Sequence, residues 1–243
     1  MTRTIIERHQ RILGGEHRIQ RKPLILGKVT ALKGKIVLDV GCGYGGYSLD
    51  VARAEARSVV ALEIDRGVIT EIKTSANHPN LHFVLGAGES LPIRNSSVDV
   101  TFLMDVLEHV RCEGPILQEV HRVLKYDGRL FISAPNRFYP LETHGRYQLF
   151  PFLPYIPKQL RYLIIDARIY TSKDLIYLLQ SKNFEMIYLE YNMPPLDALQ
   201  GFEEMKKAMR RLFKAIERIP VLRSFGCSIN IVCEKCRSGK NMN

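Results

Sequence analysis

Two carboxylates and three glycines near the start of the chain have the spacing of a ligand-binding site. Gly41, Gly43 and Gly46 directly follow a short apolar run, and Asp39 stands two positions before the first glycine. Glycines at a strand-to-helix turn let a ligand touch backbone that side chains would otherwise shield. With the acidic residue Glu63 further along the chain, this pattern predicts a site for a nucleotide-like ligand.

The glycine pattern fits two kinds of ligand. Gly41-x-Gly43-x-x-Gly46 matches the dinucleotide fingerprint, with Glu63 as the acid for the ribose hydroxyls. Asp39 favours a different ligand, because a carboxylate beside the turn repels a pyrophosphate and attracts an ammonium group. S-adenosylmethionine carries an ammonium, a sulfonium and no phosphate. We therefore predict S-adenosylmethionine, and an NAD(P)-dependent oxidoreductase is the alternative.

The elements that must position these residues alternate along the chain. Apolar, β-branched runs predict strands at 36–40, 58–63, 81–85, 98–104 and 129–134, with helical patterns between them. Strands joined by helical crossovers form a mostly parallel sheet that is covered on both faces. A capping-box pattern at 171–174 begins a further helix.

The composition fits one folded α/β domain. The 243 residues are 46% hydrophobic and 25% charged, and five cysteines do not make a disulfide framework. With no apolar leader at the start and no long apolar run, we expect a cytoplasmic protein, with the option of peripheral attachment to a membrane. We predict four segments in this domain: an N-terminal helical cap (1–35), a ligand-binding core (36–136), an inserted substrate lobe (137–170) and a basic amphipathic helix inserted before the last strand (195–220).

The positive charge lies outside the predicted core. The net charge is +10, yet residues 23–136 carry 12 basic and 13 acidic side chains. The basic helix and the aromatic insert are predicted to cover a substrate pocket, and contact with an anionic membrane surface is the alternative. Nucleic acid is a less favoured partner, because the sequence contains no recognisable RNA-binding module. The sequence carries no signal for an oligomeric state.

Six segments in order resemble the class I S-adenosylmethionine-dependent methyltransferases, of the methyltransferase type 11 and quinone-pathway kind. These segments are 37–46, 59–65, 86–92, 98–100, 105–110 and 128–136. The resemblance implies an α/β fold with a Rossmann-like, doubly wound sheet of seven strands, mostly parallel and covered by helices on both faces. In that fold, strands at 184–191 and 228–234 form an antiparallel edge hairpin. The resemblance also implies S-adenosyl-L-methionine as methyl donor and S-adenosyl-L-homocysteine as product.

The resemblance implies a set of cofactor contacts. These are Asp39, Gly41, Cys42, Gly43, Glu63, Ile64, Ala87, Gly88, Glu89, Asp105 and Val106. Glu63 is expected to accept hydrogen bonds from the ribose hydroxyls. Ala87 stands where the family often has an aspartate, so backbone carbonyls or Glu89 would accept from the adenine amino group.

The reaction implied by the resemblance is methyl transfer to a small-molecule or lipid-linked acceptor, at oxygen rather than nitrogen or carbon. An oxygen acceptor often needs a base, and His109, His144 and Glu142 are the candidates. Local packing of His109 is the alternative role.

Three other interpretations stay open beside this one. Asp105, Glu108 and His109 resemble a metal-holding segment of some quinone-pathway O-methyltransferases, but we interpret the carboxylates as positioning the donor and predict no metal. An RNA or protein N-methyltransferase is a further alternative, although the Asn/Asp-Pro-Pro-aromatic tetrapeptide of amino-directed base methylases is missing after the fourth strand. A binding protein that holds S-adenosylmethionine without turnover is the last.

Overall fold

A single seven-stranded sheet organises the computed structural model, which describes residues 31–75, 78–140, 153–156, 167–193, 203–217 and 219–236. The strands are β1 (Ile36–Val40), β2 (Ser58–Glu63), β3 (Leu81–Leu85), β4 (Val98–Met104), β5 (Leu124–Pro135), β6 (Phe184–Asn192) and β7 (Ser228–Lys235). Their inner residues are almost all apolar and buried, as expected for strands covered on both faces.

The strand order is β3-β2-β1-β4-β5-β7-β6. Strands β1 to β5 run parallel, and β7 is antiparallel to both of its neighbours, β5 and β6. The predicted fold class is therefore confirmed, including the antiparallel pair at the edge. The strand order reverses between β1 and β4, and in open α/β sheets ligands bind at the carboxyl ends of the strands at such a point.

Helices cover the two faces of the sheet and enclose two cores. The helices are α1 (Gly46–Arg53), α2 (Arg66–Ser75), α3 (Glu113–Val123), α4 (Ser172–Gln180), α5 (Glu203–Glu217) and α6 (Pro220–Arg223). Apolar residues of α1 and α2 pack with Phe102, Phe131 and Val232 on one face. Those of α3 and α4 pack with Leu103 and Ile132 on the other.

Helix α4 begins with the predicted capping box. The Thr171 hydroxyl accepts a hydrogen bond from the Asp174 backbone N–H at 3.1 Å, and the Asp174 carboxylate accepts from the Thr171 N–H at 3.0 Å. Two N–H groups at the helix start are thereby satisfied reciprocally.

The predicted start of the fifth strand is wrong. Strand β5 begins at Leu124 and not at 129, and residues 126–128, whose types are typical of a turn, lie inside it. Leu124 pairs with Val98, and the register then shifts before Val100 pairs with Arg129. Asp127 has a φ of 61° in this irregular stretch. The turn residues therefore make a bulge, because β4 still offers backbone partners on both sides of them.

Several predicted segments lie outside the described residues. These are residues 1–30 of the N-terminal helical cap, most of the 137–170 insert, and residues 195–202 and 218 of the basic helix. The predicted division into cap, core, lobe and basic helix stays a prediction. None of the helices among the described residues has the length and apolar character needed to cross a membrane.

Candidate functional site

The glycine turn between β1 and α1 is held close to the loop that follows β4. The backbone N–H groups of Gly41 and Cys42 donate to the Leu62 carbonyl at 2.8 and 3.0 Å. Gly41 has a φ of 72°, and a Cβ there would lie 2.7 Å from Cγ2 of Val106. Only glycine fits this position without strain and overlap. Gly43 also has a positive φ, 50°, and faces open space.

Cys42 is turned away from this open space. Its side chain is buried in the core beneath α1, and burial, with the nearby Asp39 and Glu63 carboxylates, raises the pKa of its thiol. Its backbone N–H and carbonyl both bond within the chain, to Leu62 and Gly45. A contact of Cys42 with a cofactor stays a prediction.

Glu63, at the end of β2, is oriented by three backbone N–H groups. Its Oε2 accepts from Gly43 at 2.9 Å, and its Oε1 accepts from Ile64 at 2.8 Å and Asp65 at 3.1 Å. A carboxylate has about four acceptor positions, so the side chain is fixed and still has room for a ligand hydroxyl. Asp65 caps α2, since its Oδ1 accepts from the Gly67 and Val68 N–H groups at 2.7 and 3.2 Å.

Asp39 is the buried carboxylate of the site. It is 2% exposed, and its Oδ2 accepts a hydrogen bond from the Ser48 hydroxyl on α1 at 2.5 Å. Burial raises the pKa of Asp39 to about 6; the Ser48 bond opposes the shift and the Glu63 charge adds to it. A nearby cation would lower this pKa again, because it stabilises the ionised form. The sequence had given no sign of the Ser48 partner.

Two exposed apolar side chains flank the predicted adenine position. Ile64 is 70% exposed and Leu85, at the end of β3, is 43% exposed. The following loop is tightly packed, since a Cβ at Gly88 would lie 2.5 Å from Cδ1 of Ile116. The Ala87 carbonyl accepts from the Ser90 N–H at 3.2 Å, and the Glu89 side chain is exposed.

Asp105, directly after β4, has a strained backbone conformation next to the glycine turn. Its φ is 58°, which non-glycine residues adopt infrequently and which is concentrated at functional sites. Its backbone N–H donates to the Ser133 carbonyl at 3.0 Å, and its Oδ1 accepts from the Ser133 hydroxyl at 2.9 Å. Asp105 and Val106 thus lie at the switch point between β1 and β4, beside Gly41.

Of the three predicted bases, the structure describes one. The His109 side chain is exposed in the loop after β4, and its backbone N–H donates to the Val106 carbonyl at 3.0 Å. Its neighbour Glu108 is 2% exposed. His144 and Glu142 lie outside the described residues. No group of three or more His, Cys, Asp or Glu side chains that could hold a metal occurs among the residues described.

A row of polar side chains crosses β5, β7 and β6 at the same edge, and it was not predicted. Ser133, Asn230 and Glu190 are successive cross-strand partners. Asn230 is 0% exposed, and within the described part of the chain neither its Oδ1 nor its Nδ2 has a hydrogen-bond partner. Glu190 accepts from the Tyr188 hydroxyl at 3.1 Å. Polar residues at alternate positions 228 and 230, at the start of a strand whose next residues 231–233 are apolar, were the available signal.

Comparison with protein families gives a match over the middle of the chain. Residues 38–132 match a family model described as "Methyltransferase domain". This range contains both carboxylates of the glycine-turn site and the loops after β3 and β4.

Two curated relatives extend the comparison. The chain is 27% identical over 183 residues to a probable S-adenosylmethionine-dependent methyltransferase of Mycolicibacterium smegmatis, covering 73% of this chain and 65% of the relative. It is 34% identical over 137 residues to a ubiquinone biosynthesis O-methyltransferase of Haemophilus ducreyi, covering 52% of this chain and 58% of the relative. The chain thus spans less than two thirds of the length of these relatives.

A solved structure shares the fold. The S-adenosylmethionine-dependent methyltransferase of Mesorhizobium loti superposes with a TM-score of 0.66 at 14% identity, over 91% of this chain and 100% of the other. At this low identity the likeness concerns the fold.

Proposed function

Because the chain carries a class I S-adenosylmethionine-dependent methyltransferase domain, we propose that the protein transfers a methyl group to an oxygen atom of a small-molecule or lipid-linked acceptor. The predicted family and methyl donor are confirmed for the domain. The observation that carries the proposal is the pair of fixed carboxylates, Asp39 and Glu63, at the ends of adjacent strands beside the glycine turn.

The described residues suit the parts of the donor one by one. Glu63 accepts hydrogen bonds from the ribose diol, and release of its bond to Gly43 frees a second acceptor position. Asp39 supplies negative charge near the ammonium group. Ile64 and Leu85 bury exposed apolar area against adenine, while the loop of Ala87, Gly88 and Glu89 closes around its rim.

The remaining cofactor-site residues shape the turn. Gly41 and Gly43 keep the backbone open, and Val106 closes the turn from the other side. Asp105 lies between the donor crevice and Ser133, and so it joins the donor half of the site to the polar row of Ser133, Asn230 and Glu190.

Methyl transfer from a sulfonium needs position more than chemical assistance. S-adenosylmethionine supplies an electrophilic methyl group on a good leaving group. The protein must hold the acceptor oxygen in line with it, and such orientation supplies much of the acceleration. The acceptor hydroxyl loses its proton, and we assign His109 as the described group that takes it. His144 and Glu142 are the alternative bases.

Two features support an oxygen acceptor. A relative that is 34% identical over 52% of this chain is named as an O-methyltransferase. The polar row of Ser133, Asn230 and Glu190 also lies beside Asp105, and its half-buried Glu190 suits hydrogen bonding to a hydroxylated acceptor near the donor.

The proposal is tested in two steps. Calorimetry with S-adenosylhomocysteine and with NAD should show binding of the first only, and NAD binding in place of S-adenosylhomocysteine would overturn the assignment. A labelled-methyl assay over hydroxylated, amine and RNA acceptors should then show transfer to hydroxylated compounds. Transfer to amine or RNA alone would refute the oxygen assignment.

The role of His109 has its own measurement. We expect His109→Ala to lower kcat by about 100-fold or more while S-adenosylhomocysteine affinity stays unchanged. An unchanged kcat would move the role of base to His144 or Glu142, which the matching alanine variants would then identify.

A further inference from the structure

Exposed apolar side chains are concentrated on one surface of the molecule. Among the described residues, six of the eleven large apolar side chains that are exposed belong to it: Phe138, Tyr155, Leu212, Ile219, Leu222 and Phe225. Their exposed fractions run from 41% to 57%. We refer to these six residues as the α5–α6 surface. Large contiguous apolar patches mark interaction sites, whereas single exposed apolar residues are normal.

Contacts connect four members of the α5–α6 surface. The rings of Phe138 and Phe225 pack edge to face with their centroids 6.4 Å apart. The Tyr155 hydroxyl donates to the Phe138 carbonyl at 2.8 Å. The Phe225 N–H donates to the Leu222 carbonyl at 3.1 Å, within the turn that follows Ile219.

On helix α5, Leu212 belongs to an exposed stripe of apolar residues. Ala208, Leu212 and Ala215 are exposed and recur at helical spacing, so they lie on one side of the helix. The exposed Lys207 and Arg211 lie beside them. The exposed face of α5 is therefore itself amphipathic, and one of its lysines, Lys207, also pairs with Glu204 at 2.7 Å.

Positive charge surrounds the apolar area. Residues 203–225 carry seven basic and three acidic side chains. Arg137 and Arg223 are exposed, and they are the sequence neighbours of Phe138 and Leu222. Apolar side chains rimmed by lysine and arginine are the composition of a helix that lies in the interface of an anionic bilayer.

We propose that the α5–α6 surface docks on an anionic lipid bilayer. Charge alone would also suit RNA, but aliphatic side chains such as Leu212, Ile219 and Leu222 offer no stacking platform for bases. They do offer area that acyl chains can bury. Phe138, Phe225 and Tyr155 add aromatic rings of the kind found at the headgroup level.

The surface adjoins the carboxyl edge of the sheet, where the proposed donor site lies. Asn136, the residue after β5, is 3% exposed, and its side-chain amide donates to the Ser224 and Gly226 carbonyls at 2.8 and 2.7 Å. Its Oδ1 accepts from the Phe138 N–H at 3.1 Å. Since Ser133 lies only three residues before Asn136, or about 10 Å along an extended strand, the bilayer would lie next to the acceptor side of the site.

Docking would present a lipid-linked acceptor to this edge without removing it fully from the membrane. This role in acceptor delivery rests on the proposed methyltransferase function. Docking itself does not, since it requires only the α5–α6 surface.

Flotation of the full chain with vesicles tests the proposal. We expect the protein to float with mixed phosphatidylglycerol–phosphatidylcholine vesicles, to float about 10-fold less with pure phosphatidylcholine, and to be released by salt. Absence of flotation with the anionic vesicles, or retention on an RNA homopolymer in their place, would overturn the proposal.

Matched variants locate the surface. Leu222→Ser and Arg211→Glu should each lower the vesicle-bound fraction about 10-fold. Tyr177→Ser, a 77% exposed side chain on α4, and Lys73→Glu, an exposed charge on α2, should leave it unchanged. An equal loss in the controls, or no loss in the surface variants, would refute the location.

S-adenosylhomocysteine calorimetry on the same preparations separates the two proposals. Weakened flotation with intact ligand binding in Leu222→Ser supports a docking role, because the variant is folded. Should Leu222→Ser lose its cooperative thermal transition, Arg211→Glu decides the matter, since it changes an exposed charge only. If the protein floats with anionic vesicles but binds no S-adenosylhomocysteine, the docking proposal is supported and the proposed methyltransferase function is refuted.

Discussion

The two halves of the carboxyl edge of the sheet differ in how their polar groups are satisfied. In the β1–β2 half, Asp39 bonds to Ser48 and Glu63 accepts from three backbone N–H groups. In the β5–β7–β6 half, Asn230 is buried with both side-chain polar atoms unpartnered in the described chain. The first half therefore has its polar groups paired before a ligand arrives, whereas the second buries an amide with no hydrogen-bond partner among the described residues.

The largest expected effect comes from closing the glycine turn. Gly41→Ala places a Cβ 2.7 Å from Val106 at a φ of 72°. Backbone strain and overlap together should lower the free energy of unfolding by about 2–4 kcal/mol and S-adenosylhomocysteine affinity by about 100-fold or more. Denaturant unfolding and calorimetry measure the two effects.

A matched glycine controls for backbone strain. Gly34 has nearly the same φ, 73°, with nothing within 4 Å of a Cβ. Gly34→Ala should therefore lower the free energy of unfolding by only about 1–2 kcal/mol and leave ligand affinity unchanged. Equal losses in the two variants would contradict the close packing of Gly41 on Val106, and Gly41→Ala with Val106→Ala should recover part of the loss.

The next effect removes one acceptor from the prepared half. Glu63→Gln replaces a carboxylate that accepts from three N–H groups with an amide that must turn its NH₂ toward one of them. Loss of charge-assisted bonds costs about 1.5–3 kcal/mol each, so S-adenosylhomocysteine affinity should fall roughly 10- to 150-fold by calorimetry. Asp65→Asn, which keeps the cap of α2, should change affinity little, and a similar drop there would argue against a ribose role for Glu63.

A smaller effect follows from the ionisation of Asp39, whose pKa burial raises to about 6. The ligand ammonium is attracted by the ionised form, whose fraction falls from about nine-tenths at pH 7 to about one-tenth at pH 5. S-adenosylhomocysteine affinity should therefore fall about 10-fold over that interval. Asp39→Asn should bind weakly and lose this part of the pH dependence, and a wild-type affinity that is flat from pH 7 to 5 would contradict the role.

The same carboxyl affects stability with the opposite sign. Its folded pKa lies above the unfolded value of 3.8, so the folded state holds the proton more tightly. Its contribution to the free energy of unfolding is largest below pH 4 and is lost as the pH rises to 6, by at most about 1.4 kcal/mol per pH unit. Comparison of denaturant unfolding for the wild type and Asp39→Asn isolates this contribution.

The smallest effect probes the other half of the edge. Asn230→Leu replaces an unpartnered buried amide by an apolar side chain of similar size, which should raise the free energy of unfolding by about 1 kcal/mol and Tm by about 2–4 °C. Ligand affinity should be unchanged and methyl transfer reduced. Asn136→Leu removes an amide whose bonds are made, so it should destabilise the fold. If Asn230→Leu lowers the free energy of unfolding, Asn230 makes stabilising hydrogen bonds, and the two halves do not differ in how their polar groups are satisfied.

Most of the sheet could be predicted because its signals are local. Strands β2, β3 and β4 have the predicted bounds, since each is an apolar run between clear turn residues. The start of β5 could not be predicted, because Tyr126, Asp127 and Gly128 have the residue types of a turn. Pairing with β4 makes them a bulge inside the strand instead. Pairing across the sheet depends on residues far apart in the chain, which no short window contains.

The candidate site divides in the same way. Gly41, Glu63 and Asp39 could be identified by spacing along one strand-turn-helix segment and its neighbour. Ser48 and Asn230 could not be identified from the sequence. Ser48 meets Asp39 only when α1 packs on the sheet, and Asn230 meets Ser133 only when β7 pairs with β5. The signals for the predicted donor site are therefore local in the chain, whereas for the acceptor side the sequence indicated only a segment.

The position of β7 between β5 and β6 sets an order of assembly during synthesis. Within the described chain, strand β6 does not pair with β5, since both pair with β7. Thirty-five residues, 193–227, separate β6 from β7, so β6 leaves the ribosome with no place in the sheet until β7 follows. Until then β5 is an open edge strand that exposes backbone donors and acceptors. The donor crevice can close early, while the acceptor edge is the last part of the sheet to form, and it is where a chaperone would find unpaired strands.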